Sequence, residues 1–355
     1  MRSLQLTQAR VALSILLAGL LLETILGAPA ARGSFPGRNG QLAVTYGFKC
    51  PGSRVAALDA RTGRLHMLTP SNCDGWGKIE RASWSPDGKQ LVFRYDLPLG
   101  VASNAEWSRI AIMNADGSGR DDVPFAPAPT VINAPYQDAV ASFYRWDASF
   151  TPDGAGLIYT RSPGAATDVE IWSAALDGTD DRRIGAGLLA RIAPDGRRIA
   201  YVQPPHRTDS YNTAPGDTWL MSARTGRPIR RLWTGSVHSL DWSPDGRHIV
   251  FTASPQGPFR PSDVYIVRAN GTGLHRVTLT RRRFERDVVW SPDGRRIAFV
   301  REFRRPLADG ESITQSIWTM RPDGTAQRRI SGPWMGSDED GKGLMQISWQ
   351  PLPTP

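Results

Sequence analysis

Two kinds of short apolar run alternate along the chain. The first kind comprises Leu91-Val92-Phe93, Leu157-Ile158-Tyr159, Ile199-Ala200-Tyr201, Ile249-Val250-Phe251 and Ile297-Ala298-Phe299. Each begins three residues after the glycine of a turn cassette: Ser85-Pro86-Asp87-Gly88, Thr151-Pro152-Asp153-Gly154, Ala193-Pro194-Asp195-Gly196, Ser243-Pro244-Asp245-Gly246 and Ser291-Pro292-Asp293-Gly294. Proline presets the first central turn position, aspartate takes the second, and glycine accepts the positive φ that follows. A decayed copy, Phe35 to Gly40, precedes Leu42-Ala43-Val44. The second kind of run ends in its own turn: Val55 to Gly63, Ile110 to Gly117, Ile171 to Gly178, Trp219 to Gly226, Val264 to Gly271 and Ile317 to Gly324. Runs this short and this rich in β-branched and aromatic residues predict strands, two hairpins to a unit.

Four strands, A before the cassette, B after it, then C and D, therefore recur six times. Units of this size predict an all-β fold, a six-bladed β-propeller with four-stranded antiparallel blades. The first unit lacks strand A and the last lacks strand B. Ile347-Ser348-Trp349 can supply the missing strand beside Gln41 to Tyr46, so the N- and C-terminal strands close one blade and leave no open edge. Trp84, Phe150, Trp242, Trp290 and Trp349 fall at one equivalent site and are expected to wedge between blades. The A–B and C–D turns share the bottom face; the longer, more variable B–C and D–A loops share the top. Those at about 96–107, 124–142, 202–216 and 301–315 are the expected place for binding.

The N-terminus stands apart. Arg2 and Arg10 precede the apolar run Val11 to Leu22, and Ala28-Pro29-Ala30 follows, the pattern of a signal peptide cleaved near Ala30. An uncleaved anchor is the alternative. The expected organisation is a signal peptide over 1–30 and a single propeller domain over 31–355, exported to the periplasm or beyond, with no membrane span in the mature chain. Cys50 and Cys73 are the only cysteines. Both fall in top loops of blade 1, and in an exported chain they are expected to form a disulfide.

The cassette, the strand after it and the second hairpins, such as Asn114-Ala115-Asp116-Gly117 and Arg321-Pro322-Asp323-Gly324, resemble the TolB-like, or PD40 (WD40-like), propeller repeats. The resemblance runs over roughly residues 34 to 351. Asp59 to Gly63 and Ser222 to Gly226 depart from its wording but keep the turn. TolB is similar in having an exported propeller but places a smaller α/β domain ahead of it. No room for that domain is expected between Ala30 and Gly33, which argues against a Tol–Pal role. Related propellers precede serine-peptidase domains, and others resemble oligogalacturonate lyases, which use clustered histidines and a metal.

Composition is that of a globular chain, 40% hydrophobic and 22% charged, with 35 glycines and 28 prolines serving its many turns. The formal charge of +9 falls to +8 once Arg2, Arg10 and Glu23 are removed, which favours an anionic surface or polymer. Its arginines cluster: Arg281, Arg282, Arg283 and Arg286 are placed in the D–A loop between blades 5 and 6, and Arg301, Arg304 and Arg305 in the next B–C loop. Guanidinium groups pair bidentately with carboxylates and phosphates. Glu80, Arg145, Asp147, His238, Asp241 and Asp287 fall near the top ends of A strands and are expected to line the central opening. Of the five histidines only His206 and His238 reach the top, too few for a metal site without converging carboxylates. No Gly-x-Ser-x-Gly elbow occurs, no cofactor is implied, and no aromatic-interleaved basic motif points to nucleic acid. The expected function is non-catalytic binding of a cell-envelope protein or an anionic glycan through the top face. The alternative is a polysaccharide lyase or hydrolase acting in the central top pocket.

Overall fold

The computed structural model describes residues 35–47, 53–69, 79–96, 108–126, 144–162, 169–203, 216–257, 260–307, 310–337 and 344–354. Twenty-four strands form six four-stranded antiparallel sheets, the blades of a β-propeller, and no helix occurs among the described residues. Blade 1 holds β1 (Arg38–Gly47), β2 (Ser53–Leu58) and β3 (Leu65–Met67). Blade 2 holds β4 (Ile79–Trp84), β5 (Gln90–Asp96), β6 (Ser108–Asn114) and β7 (Asp121–Asp122). Blade 3 holds β8 (Tyr144–Phe150), β9 (Gly156–Ser162), β10 (Glu170–Ala175) and β11 (Arg182–Ala186). Blade 4 holds β12 (Leu188–Ile192), β13 (Arg198–Gln203), β14 (Asp217–Ser222) and β15 (Pro228–Trp233). Blade 5 holds β16 (Ser236–Trp242), β17 (His248–Ser254), β18 (Asp263–Arg268) and β19 (His275–Arg276). Blade 6 holds β20 (Phe284–Trp290), β21 (Ile297–Leu307), β22 (Gly310–Met320) and β23 (Arg328–Ser337).

β24 (Leu344–Leu352) returns to blade 1 as its A strand, pairing Trp349 with Leu42 and Ile347 with Val44, as the sequence predicts. β1 starts earlier than Gln41, at Arg38, so the latch is long. The four turn cassettes led by Ser or Thr repeat one hydrogen-bond plan. In blade 2 the Ser85 hydroxyl donates to Asp87 at 2.7 Å, and Asp87 accepts the Lys89 amide at 3.0 Å. Thr151, Ser243 and Ser291 do the same with Asp153, Asp245 and Asp293. The repeated aspartates are thus turn residues. Blade 4, with Ala193 in the serine's place, keeps only the Asp195 bond to the Arg197 amide.

The wedges behave as expected: Trp84 and Trp242 are fully buried, and Phe150, Trp290 and Trp349 nearly so. Truncating such a side chain costs about 3–5 kcal/mol. Outer edges are blunted: β7 and β19 have two residues each and carry Asp121, Asp122, His275 and Arg276, while β15 is rich in arginine and opens with Pro228. Short, charged, proline-bearing edges resist pairing with another chain.

Two expectations change. Residues 301–307 and 310–315 are strands, not a loop. The β21–β22 ladder continues from Ile297↔Met320 out to Leu307↔Gly310, so blade 6 carries a hairpin that projects beyond β20. Ser312-Ile313-Thr314 and the period-2 alternation support it, and Pro306 is tolerated because β21 has become an edge there. Arg286 lies on β20 and Arg301, Arg304 and Arg305 on β21, so they are strand residues. Cys50, Cys73 and residues 1–30 lie outside the described residues. Among those described, no helix is long and apolar enough to cross a membrane.

Candidate functional site

Each A strand breaks register a few residues before its wedge. The shifts fall between Glu80 and Ser83, Trp146 and Ser149, Leu188 and Arg191, Val237 and Ser239, and Arg286 and Val289, and β24 has one near its start. A bulge re-aims the side chain it carries. Counting three residues back from the wedge gives Arg81, Asp147, Leu189, Ser239, Asp287 and Gln346. Four of these adopt the left-handed conformation without being glycine: Arg81 at φ 60, Asp147 at 58, Leu189 at 52 and Asp287 at 45. Each such residue costs about 1 kcal/mol or more.

The strain turns polar groups toward the ring axis. All of these except Leu189 line a central cavity of about 90 Å³, as do Ser83, Ser149, Arg191, Asp241, Val289 and Ser348, one residue before each wedge. Phe35 lines it too. Phe35 packs on the core of blades 2 and 3, while the Gly37 amide bonds the Pro292 carbonyl of blade 6, so this segment runs across the bottom of the ring.

One carboxylate organises three blades. Asp147 Oδ1 accepts Arg81 Nη1 at 3.0 Å and Arg191 Nη2 at 2.8 Å, joining β4, β8 and β12. Asp147 is buried and its Oδ2 has no hydrogen-bond partner among the described residues. Burial opposes ionisation, but the two guanidinium groups outweigh it and hold the carboxyl below the usual range. Blades 5 and 6 are tied by a different device: Asp241 Oδ2 accepts the Trp290 amide at 2.8 Å, and Ser239 Oγ the Val288 amide at 2.9 Å. Asp287 differs from both. Its carboxylate makes no hydrogen bond or ion pair among the described residues. Burial pushes it up to about 7, against the pull of Arg81, Arg286 and Arg191 and with the push of Glu302. By accessible area it is only half-buried, the accessible part facing the cavity.

Of the six residues expected at the opening, Asp147, Asp241 and Asp287 line the cavity. Arg145 does not: it is buried, with its guanidinium 4.5 Å from the Phe125 ring centre. His238 is buried too, with Nε2 3.1 Å from Ser254 Oγ, and burial plus Arg286 and Arg304 lowers its pKa to about 3. Arg145 precedes the bulge of its strand and pairs with Arg161, whereas His238 is itself the extra residue of the blade 5 bulge, between Val237 and Ser239, and turns into the sheet packing. Glu80 sits on β4, and its side chain lies outside the described residues. Arg81 and Arg191 went unremarked in the sequence although they hold the network. Counting back from each wedge finds Arg81; Arg191 precedes Ile192, an aliphatic wedge that gives no aromatic flag. Among the described residues no three His, Cys, Asp or Glu side chains gather as metal ligands.

The seven arginines divide. Arg301 pairs with buried Glu285 at 2.8 Å, Arg304 with buried Glu302 at 2.6 Å, and Arg286 approaches Glu302 at 3.5 Å. Burial pushes Glu285 up to about 7, against Arg301. These three arginines are consumed within the blade. Arg283 stands 4.8 Å over the Phe303 ring. Arg281, Arg282 and Arg305 are exposed and make no ion pair among the described residues. Beside them Leu279 is 73% and Phe303 38% exposed, among the few large apolar side chains so placed. The rim between blades 5 and 6 is thus cationic with an apolar component.

No family model matches the chain. Two curated relatives match parts of it. A 93-residue stretch is 34% identical to the uncharacterized peptidase YuxL of Bacillus subtilis, covering 25% of this chain and 13% of that protein. A 151-residue stretch is 28% identical to dipeptidyl-peptidase 5 of Porphyromonas endodontalis, covering 40% and 18%. The matches span less than a fifth of either relative. Among solved structures, a TolB from Agrobacterium tumefaciens superposes with a TM-score of 0.56 at 18% identity, over 88% of this chain and 99% of that one. A chain of a nidogen/laminin complex gives 0.55 at 9%, over 88% and 99%, and the tricorn protease 0.52 at 17%, over 84% and 27%. At these identities the likeness is one of fold.

Proposed function

We propose that this chain is an exported, non-catalytic binding module that docks an acidic protein of the cell envelope on the rim between blades 5 and 6. The observation that carries the reading is the division of the arginines. Three are neutralised by buried glutamates and stiffen the projecting hairpin. Arg281, Arg282 and Arg305 keep their charge in solvent next to Leu279 and Phe303. Arginine and aromatic side chains are the types that anchor protein interfaces, and clustered positive charge speeds encounter with an acidic partner. The exposed aliphatic Leu279 favours a protein over an anionic glycan, to which it would offer neither charge nor hydrogen bond. The TolB-like fold is consistent with a module of this kind.

The test uses the full chain in its native host with a photocrosslinking residue at Leu279. A protein adduct is expected, lost when Arg281, Arg282 and Arg305 are all reversed to glutamate. An adduct indifferent to that reversal, or one made of polysaccharide, overturns the reading. Export is checked separately: protein recovered outside the cytoplasm is expected to begin near Ala31.

A further inference from the structure

The central cavity lies apart from the rim, and none of Arg281, Arg282 and Arg305 lines it. Its charges do not balance. Asp147 is satisfied by Arg81 and Arg191, and Asp241 is engaged by the backbone of blade 6. Asp287 faces the same space with nothing bonded to its carboxylate among the described residues. Holding it there strains the backbone, at φ 45 in a residue that is not glycine. A half-buried carboxylate kept in a strained conformation, facing a cavity and without a partner among the described residues, lacks a ligand as far as those groups are concerned. Two neutral groups on the same wall are also unspent: Ser83 and Gln346 line the cavity and make no hydrogen bond from their side chains among the described residues. The other wall offers guanidinium edges that Asp147 only partly occupies.

We propose that the central cavity binds a small primary amine bearing hydroxyl groups, its ammonium set against Asp287 and its hydroxyls reaching Ser83 and Gln346. Size supports this class. About 90 Å³ is room for about three waters at about 30 Å³ each, and so for a compact molecule rather than a polymer segment. Charge supports it as well, because the cavity lining carries three carboxylates, Asp147, Asp241 and Asp287, against two guanidinium groups, Arg81 and Arg191, so a cation restores the balance and an anion would worsen it. A proton is the competing occupant. Asp287 is held up to about 7 by burial, and the charged groups acting on it are Arg81 of β4, Arg191 of β12, Arg286 of its own strand and Glu302 of β21. Amine binding therefore strengthens as pH rises from 6 to 8 and the carboxyl gives up its proton.

Serinol and glycerol make the decisive pair, since serinol is glycerol with its central hydroxyl replaced by an ammonium. Calorimetric titration of the full chain at pH 8 is expected to show serinol binding at least roughly tenfold more tightly than glycerol. Asp287→Asn should remove that preference, while Arg281→Glu at the rim leaves it intact. Thermal melting of Asp287→Asn establishes that the variant is folded. Ser83→Ala gives a second readout, weakening serinol without touching the carboxylate. Equal affinity for the two compounds, no binding of serinol, or binding that survives Asp287→Asn in a folded protein overturns the proposal. None of these outcomes bears on the rim, whose partner is captured by other residues.

Discussion

Replacing Asp147 with asparagine removes the carboxylate that Arg81 and Arg191 both hold, at 3.0 and 2.8 Å. At an effective dielectric near 20 a contact of this length is worth about 5 kcal/mol before desolvation. Burial of the charges cancels much of that, and deleting one member of a buried pair usually costs about 3–5 kcal/mol. The two guanidinium groups are 16% and 24% exposed, so they can draw water from the cavity once abandoned. The lower end, about 3 kcal/mol, is the expected loss, read from urea unfolding at pH 7. Arg81→Met and Arg191→Met, each combined with Asp147→Asn, should show coupling of about 1 kcal/mol or more per pair. The sign with pH is fixed. The folded carboxyl lies below its ordinary range, so its contribution is present above about pH 4 and fades as acid takes the pH down through the depressed value. The gap between wild type and variant closes on acidification. A loss under about 1 kcal/mol, or no coupling, would show that the three inner strands are positioned without this network.

Asp287→Asn should act in the opposite sense. A carboxyl raised to about 7 stabilises the fold when protonated, so wild-type stability falls between about pH 4 and 7. The full shift corresponds to roughly 4 kcal/mol, cut to about 1–2 kcal/mol by water in the cavity. The variant should lack that share of the slope and be the more stable protein above pH 7; identical slopes would contradict this. Gly226→Ala and Gly196→Ala form a contrast. Both glycines have φ near +66, but a Cβ at Gly226 would lie 1.9 Å from the Ile184 carbonyl of the preceding blade, while Gly196 has nothing within 4 Å. Unfolding midpoints should show about 1 kcal/mol lost at Gly196 and several times that at Gly226. Removing residues 344–355 takes away β24 and Trp349, and the product should lose cooperative unfolding; a sharp transition would mean that blade 1 stands without its latch.

The architecture was legible because its signals repeat. Five complete hairpin pairs in register, with three strands of a sixth blade at one end and its fourth strand at the other, define the ring and its closure. Pro86, Asp87 and Gly88 explain their own geometry, so the bottom of the molecule follows from local chemistry. Side-chain direction was less legible, for a physical reason. One inserted residue in an A strand reverses the alternation, so Asp287 faces the axis while His238, chosen by the same rule, faces inward to the sheet packing. The bulge leaves no mark in composition, since Arg81, Asp147 and Leu189 adopt a conformation usually left to glycine. The blade 6 hairpin is hard to read because three arginines and a glutamate around Phe303, followed by Pro306, resemble a loop. In the structure Glu302 and Glu285 are buried under those same arginines, and pairing makes a charged run compatible with strand.

The latch of β24 on β1 also sets an order of events. Blades 2 to 6 are made of strands contiguous in sequence, and each can assemble while the chain is still emerging. Blade 1 cannot, because its innermost strand is synthesised some three hundred residues after its second. Until Leu344–Leu352 is available, β1 offers an unpaired edge and the wedge site of Trp349 stands empty. Ring closure therefore acts as a completeness check. A chain cut short anywhere before that strand leaves β1 with an open edge, the kind of edge that pairs with other chains.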